Sequence, residues 1–171
     1  MTVDDIKSSV CKWITNGGES AVKMPSNTSA YNGKYYAVDV TNVSQYGTTT
    51  TPPPSENESH KCVAQYVATV VIHEVGGDGD KLRKFRNDFV SDGFIEFVRK
   101  RFEKNDGLDR AFSVWDVNDI EELMLNDGGF FINQHVLSFR VQFNDFIDYY
   151  GKKILSVSGT VGPDEIDIER S

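Results

Sequence analysis

The run LSFRVQFN at residues 137–144 constrains this chain most. Leu137, Phe139, Val141 and Phe143 alternate there with Ser138, Arg140, Gln142 and Asn144. A helix would scatter those apolar side chains around its axis, whereas a strand sends successive residues to opposite faces. The segment therefore predicts a strand with one buried and one wet face, the pattern of an antiparallel sheet lying on a core.

Other segments supply its partners. Residues 35–44, YYAVDVTNVS, and 62–74, CVAQYVATVVIHE, are rich in β-branched and aromatic residues and predict two strands paired antiparallel. Residues 111–116, AFSVWD, predict a short strand, and residues 153–161, KILSVSGTV, a last one. Val3, Ile6, Val10, Trp13 and Ile14 fall at helical spacing, with Thr2 as N-cap, Asp4 and Asp5 in the first turn, and Gly17 and Gly18 as the stop. Leu82, Phe85, Phe89, Phe97 and Phe102 give residues 79–103 the pattern of one long helix with an aromatic face, in which Gly93 marks a kink or a close backbone approach. Asn118 or Asp119 is expected to cap a single helical turn through Glu122, ahead of a turn at 126–129.

The remainder reads as connection. Residues 16–34 are rich in Gly, Ser, Asn and Pro without periodicity and predict a loop. Residues 46–60 include three consecutive prolines, which cannot donate to a sheet ladder, and predict a protruding hairpin loop. The expected architecture is α+β: a mainly antiparallel sheet of about four to five strands packed against a long helix and a short N-terminal helix. Residues 1–162 would form a single domain, the default for 171 residues, and residues 163–171 an acidic C-terminal tail.

No catalytic, metal or cofactor residues are expected. His60, His73 and His135 stand at no ligand or triad spacing, and His60 with Cys62 would supply only two of the four ligands of a closed zinc site. Cys11 and Cys62 make neither a disulfide framework nor a CxxC pair and read as reduced, buried thiols. GGDGDK, residues 76–81, occupies the place of a phosphate-cradling loop, but Asp78 and Asp80 give it the wrong sign for an anion. It also lacks the bidentate Glu of a calcium loop. A tight strand-to-helix turn is the ordinary account. No GxSxG elbow occurs.

The formal charge of −8 disfavours nucleic acid and anionic lipid as direct ligands, and no segment has the roughly 18 apolar residues of a membrane span. An apolar signal-type segment is absent from the first residues, so export is not expected. The charge is uneven. Between residues 81 and 104, Lys81, Arg83, Lys84, Arg86, Arg99, Lys100, Arg101 and Lys104 face only Asp88, Asp92, Glu96 and Glu103, leaving the rest of the chain at about −12. A solvated helix face accounts for this simply. The alternative is a heterologous contact, the basic helix of one copy against an acidic surface of the next, of the kind that closes rings.

From about residue 62 to residue 161 the layout resembles the tail terminator (neck) proteins of tailed bacteriophages. In that family a strand such as CVAQYVATVVIHEVGG leads into a helix, followed by a short strand, a DI-L element, an alternating strand and a final strand. Here AFSVWDVNDIEELML, HVLSFRVQFNDFIDYYG and KILSVSGTVG follow in that order, with Asp119, Ile120 and the SGTV ending carrying much of the likeness. The N-terminal helix and the YYAVDV strand fit as well, and the Thr- and Pro-rich insertion departs from the pattern. The resemblance implies a structural virion protein without turnover or cofactor. It would form a hexameric ring at the head-proximal end of the tail tube, stopping tube polymerisation and docking the neck or head connector. Its implied partners are further copies of itself, the tail tube protein, the neck or connector protein and a sheath. DNA would only pass through the lumen, with assembly in the host cytoplasm.

Carried onto this chain, that reading gives Lys81, Arg83, Lys84 and Arg86 a subunit boundary. The 46–60 loop, with Thr50 and Pro53, and the tail, with Asp164, Ile166 and Ile168, become arms that order on assembly. Ile166 and Ile168 would add a strand to an edge. Plain disorder is the simpler account of both arms. Competing readings are another neck or head-completion ring protein, a small acidic inhibitor of the immunity type that masks a basic enzyme, and a small-ligand domain or enzyme.

Overall fold

A computed structural model describes residues 1–25, 33–47, 59–103, 111–127, 130–150, 156–161 and 164–169. They form an α+β fold with three helices, a mixed six-stranded sheet and a separate two-stranded sheet. The chain opens with helix α1 (Val3–Asn16). Thr2 caps it as expected: its hydroxyl accepts from the Asp5 amide at 3.2 Å while the Asp5 carboxylate accepts from the Thr2 amide at 2.8 Å. Two otherwise orphaned donors are satisfied in this way. Ile6, Val10 and Ile14 form the buried stripe.

The stretch 16–34, expected to be loop, holds a short strand β1 (Ala21–Lys23), which runs parallel to β2 (Tyr35–Gln45). Three residues are too few for a periodicity to be read. Strand β3 (Ser59–Val75) pairs antiparallel with β2, as expected, and starts three residues earlier than the sequence indicated. The rest of the expected 46–60 loop, residues 48–58 with Thr50 and Pro53, lies outside the described residues.

The long helix is corrected to two, α2 (Asp80–Phe89) and α3 (Asp92–Phe102). The break falls at Val90 and Ser91 rather than at Gly93. Ser91 caps α3, accepting from the Phe94 amide at 3.4 Å and donating to the Asp88 carbonyl at 2.6 Å. Its physical reason is phase. On one continuous helix Phe94 would lie about 140° around the axis from Phe89. Restarting the helix at Ser91 lets Leu82, Phe85 and Phe89 of α2 and Phe94 and Val98 of α3 all reach the core.

Strand β4 (Phe112–Trp115) stands as expected, but the helical turn expected after it is strand β5 (Glu121–Asp127), paired antiparallel with β6 (Phe130–Tyr150). The edge of β6 left free beside β4 offers β5 a full ladder, which outweighs any local capping preference. Asn118 tethers the crossing, its amide to the Ser138 carbonyl at 2.9 Å and its side chain to the Ser138 hydroxyl at 2.7 Å. The expected sheet of four to five mainly antiparallel strands is thus six-stranded and mixed, in the order β1-β2-β3-β6-β4, with β5 also on β6. After it, β7 (Ser156–Val161) and β8 (Asp164–Glu169) pair antiparallel, so the expected acidic tail contains a strand.

The buried strand residues belong almost wholly to one alternating set. Register aligns Val38 with Ile72 and Leu137, and Val40 with Val70 and Phe139. These join the helix residues in one core. Phe89 sits at its centre, its ring 5.0 Å from those of Phe94 and Phe139. Trp13 meets Phe94 edge-on at 5.3 Å and so ties α1 to α3.

Strand β6 outruns its neighbours at both ends. Residues 59–65 of β3 pair with residues 144–150, beyond the reach of β2 and β4, and residues 124–127 of β5 pair with 130–133 beyond the end of β3. Among the described residues each of these stretches of β6 pairs with one strand, at opposite ends of the sheet.

Candidate functional site

One lateral row across the helix-facing side of the sheet is polar. Register puts Tyr36 beside Glu74, Glu74 beside His135, and His135 beside Glu122. Glu74 is fully buried, and its Oε1 accepts from the Tyr36 hydroxyl at 2.7 Å and from Lys34 Nζ at 2.9 Å. Its Oε2 lies 3.6 Å from His135 Nδ1, beyond hydrogen-bond reach, and neither atom has another partner among the described residues. Burial opposes the charge of Lys34, but the carboxylate outweighs it and holds the ammonium above the ordinary lysine range. The Tyr36 hydroxyl is pushed up by burial and by the bond it donates to Glu74.

The glycine-rich turn closes over this row. Gly76 and Gly79 adopt φ of 73° and 79°, which favour glycine. A Cβ on Gly79 would stand 2.9 Å from His135 Cδ2, and one on Gly77 would overlap the Glu74 carboxylate. GGDGDK is therefore a tight strand-to-helix turn, as expected, in which Gly77 is required by the buried Glu74 and Gly79 by the buried His135 beneath it. Sequence reasoning missed this cluster. Its signal was an acidic residue continuing the apolar set Ala68, Val70 and Ile72, with two glycines beginning two residues later.

Beside His135 lies an open groove of about 410 Å³ between α2 and β5, lined by Arg83, Arg86, Asn87, Asp119, Ile120, Glu122 and His135. Of the four basic residues assigned to a boundary, the structure brings Arg83 and Arg86 to this groove. Arg83 meets Asp80 at 2.5 Å, while Arg86 donates to the Asn118 carbonyl at 2.9 Å and to Asp119 at 3.1 Å. Lys84 is exposed on the same helix, and Lys81 is half-exposed with Glu19 at 3.7 Å. Arg99, Lys100 and Arg101 belong to α3, so the basic stretch is divided between two helices. Asp164, Ile166 and Ile168 lie in β8, opposite Val161, Gly159 and Val157.

Among the described residues no three His, Cys, Asp or Glu gather to hold a metal ion, and no helix is long and apolar enough to cross a membrane. His73 Nδ1 lies 2.8 Å from the Gln134 amide nitrogen, and burial lowers its pKa. Cys11 is partly buried, and burial pushes its thiol up to about 11. Alkylation at pH 8, followed peptide by peptide, is therefore expected to be about 100-fold slower at Cys11 in the folded chain than in urea. Equal rates would show that the thiol is not held in this environment.

A scan against models of known protein families gives no match, and a search of curated proteins gives none either.

Proposed function

We propose that this chain is a ring-forming structural subunit of a bacteriophage tail, a tail terminator that caps the tube and meets the neck or connector. The observation that carries the reading is the extension of β6 at both ends, where among the described residues it pairs with one strand at each end. A two-stranded extension is marginal by itself and gains stability from a further surface. Extensions at both ends suit a subunit with a neighbour on either side, as a closed ring requires. Exposed Met124 on the extending part of β5 and Leu123 just before it add apolar surface for such a contact. The division of charge, with a basic stretch at 81–104 in an otherwise acidic chain, favours unlike surfaces meeting head to tail. The order of strands along the chain is in keeping with the tail terminator layout.

Light scattering with negative-stain imaging, over a range of concentration and salt, tests this. Annular particles of six-fold mass that dissociate as salt rises are the expected result. A chain that stays monomeric and also fails to cap or shorten purified tail tubes would overturn the reading.

A further inference from the structure

We propose that Glu74 and His135 form a proton-operated latch beneath the glycine turn, closed when the imidazole takes up a proton and Nδ1 donates to Glu74 Oε2, and open when the ring is neutral. Both side chains are held away from solvent, Glu74 at 0 % and His135 at 8 % exposure. Oε2 and Nδ1 are the buried side-chain polar atoms without a partner among the described residues, and they lie 3.6 Å apart. Buried polar atoms are rarely left so, because each gives up its hydration without return. A closure of about 0.8 Å would bring the pair to the length of a charge-assisted hydrogen bond.

The surrounding charges favour a cation at that position. Glu74 Oε1 is occupied by the Tyr36 hydroxyl and the Lys34 ammonium, so a new donor is left with Oε2. From β5, Glu122 stands beside His135 in the sheet. From the turn comes Asp78, held below the ordinary carboxylate range by the backbone amides around it and, more weakly, by Lys34 and His135. On the α2 side the charges cancel in pairs, Arg83 with Asp80 and Arg86 with Asp119. Beyond Tyr36, Glu19 is matched to Lys81 at 3.7 Å. Glu74, Asp78 and Glu122 therefore stand against Lys34, and a charged His135 offsets part of that excess. Burial works against the new charge, and contact with the carboxylate is what compensates it. A neutral ring with its proton on Nε2 instead sets the Nδ1 lone pair against a carboxylate oxygen, two acceptors in contact.

The latch has a turn to hold. Gly79 lies on the imidazole, where a Cβ would stand 2.9 Å from Cδ2, and Gly77 lies on the Glu74 carboxylate. Gly79 is also the N-cap of α2, with its carbonyl accepting from the Arg83 amide at 3.0 Å and no side-chain cap beside it. The footing of the turn on Glu74 and His135 thus decides how firmly the helix start is held. Because the extra bond exists only in the protonated, folded state, protection of the turn is greatest in acid and is lost as pH rises through the ordinary histidine range, about 6.5.

Amide hydrogen exchange of the full chain, read by mass spectrometry and corrected for intrinsic rate, tests this whether or not rings form. From about pH 8 to about pH 5.5, exchange over residues 76–86 is expected to slow about tenfold, while residues 92–102 of α3 change little. His135→Gln and Glu74→Gln should each abolish that difference, since either removes the proton-dependent bond and keeps a polar side chain of similar size. The second variant decides if the first fails to fold. A flat profile in the unaltered chain overturns the inference, as does a slope that survives in a folded variant or that α3 shares in full.

Discussion

Replacing Gly77 with alanine is expected to destabilise the fold by about 3 kcal/mol, and to lower the melting temperature by about 10 °C. The new Cβ would overlap the Glu74 carboxylate and stand 2.8 Å from Glu74 Cγ. That side chain has nowhere to go. It is fully buried, and the Tyr36 hydroxyl and the Lys34 ammonium hold it. Glu74→Ala should itself cost about 3 kcal/mol, because it strands the buried Tyr36 hydroxyl and leaves Lys34 without its carboxylate. The two losses should not add: with Glu74 shortened, the Cβ at position 77 has room, and the double variant should be more stable than the sum by at least about 1.5 kcal/mol. Urea unfolding of the four proteins measures this directly. Strict additivity would mean that the turn does not press on Glu74.

The second large effect is expected at Phe89. Its ring is fully buried and shares contacts with Phe85 at 6.3 Å, Phe94 at 5.0 Å and Phe139 at 5.0 Å, joining both helices of the broken pair to the central strand. Truncation to alanine removes this junction and opens a cavity that the fully buried Phe94 and Phe139 around it can only partly refill, at about 4 kcal/mol. Phe97→Ala is the control. Phe97 shares the aromatic spacing in the sequence but is only half-buried, against Trp13 at 5.2 Å, and should cost about 1 kcal/mol. Equal losses at the two positions would mean that α2 and α3 do not restart in phase at Ser91.

What was legible in the sequence was local. Period two at 137–144, helical spacing after Thr2 and β-branched content at 62–74 each fix a geometry through neighbours a few residues away. The structure holds α1, β2, β3, β4 and β6 where these patterns indicated. The aromatic spacing after residue 79 held for Leu82, Phe85 and Phe89, but past Ser91 the fully buried residues are Phe94 and Val98 while Phe97 and Phe102 are only partly buried, because spacing alone does not distinguish one helix from two whose stripes meet on a shared core. Residues 118–122 show the opposite case: the helical capping signal at Asn118 or Asp119 is local, and Glu121–Asp127 is a strand because β6 has an edge to fill.

The sequence by itself determined the α+β class, the apolar alternation that buries one face of β6, and the division of charge along the chain. Tertiary structure alone decided that Tyr36, Glu74 and His135 stand side by side, since they come from three strands brought together only by register. It alone explains why Gly77 must be glycine, and which basic residues share a groove. Hydrogen-bond ladders and close packing join residues far apart in the chain, and no pattern confined to a single segment carries that information.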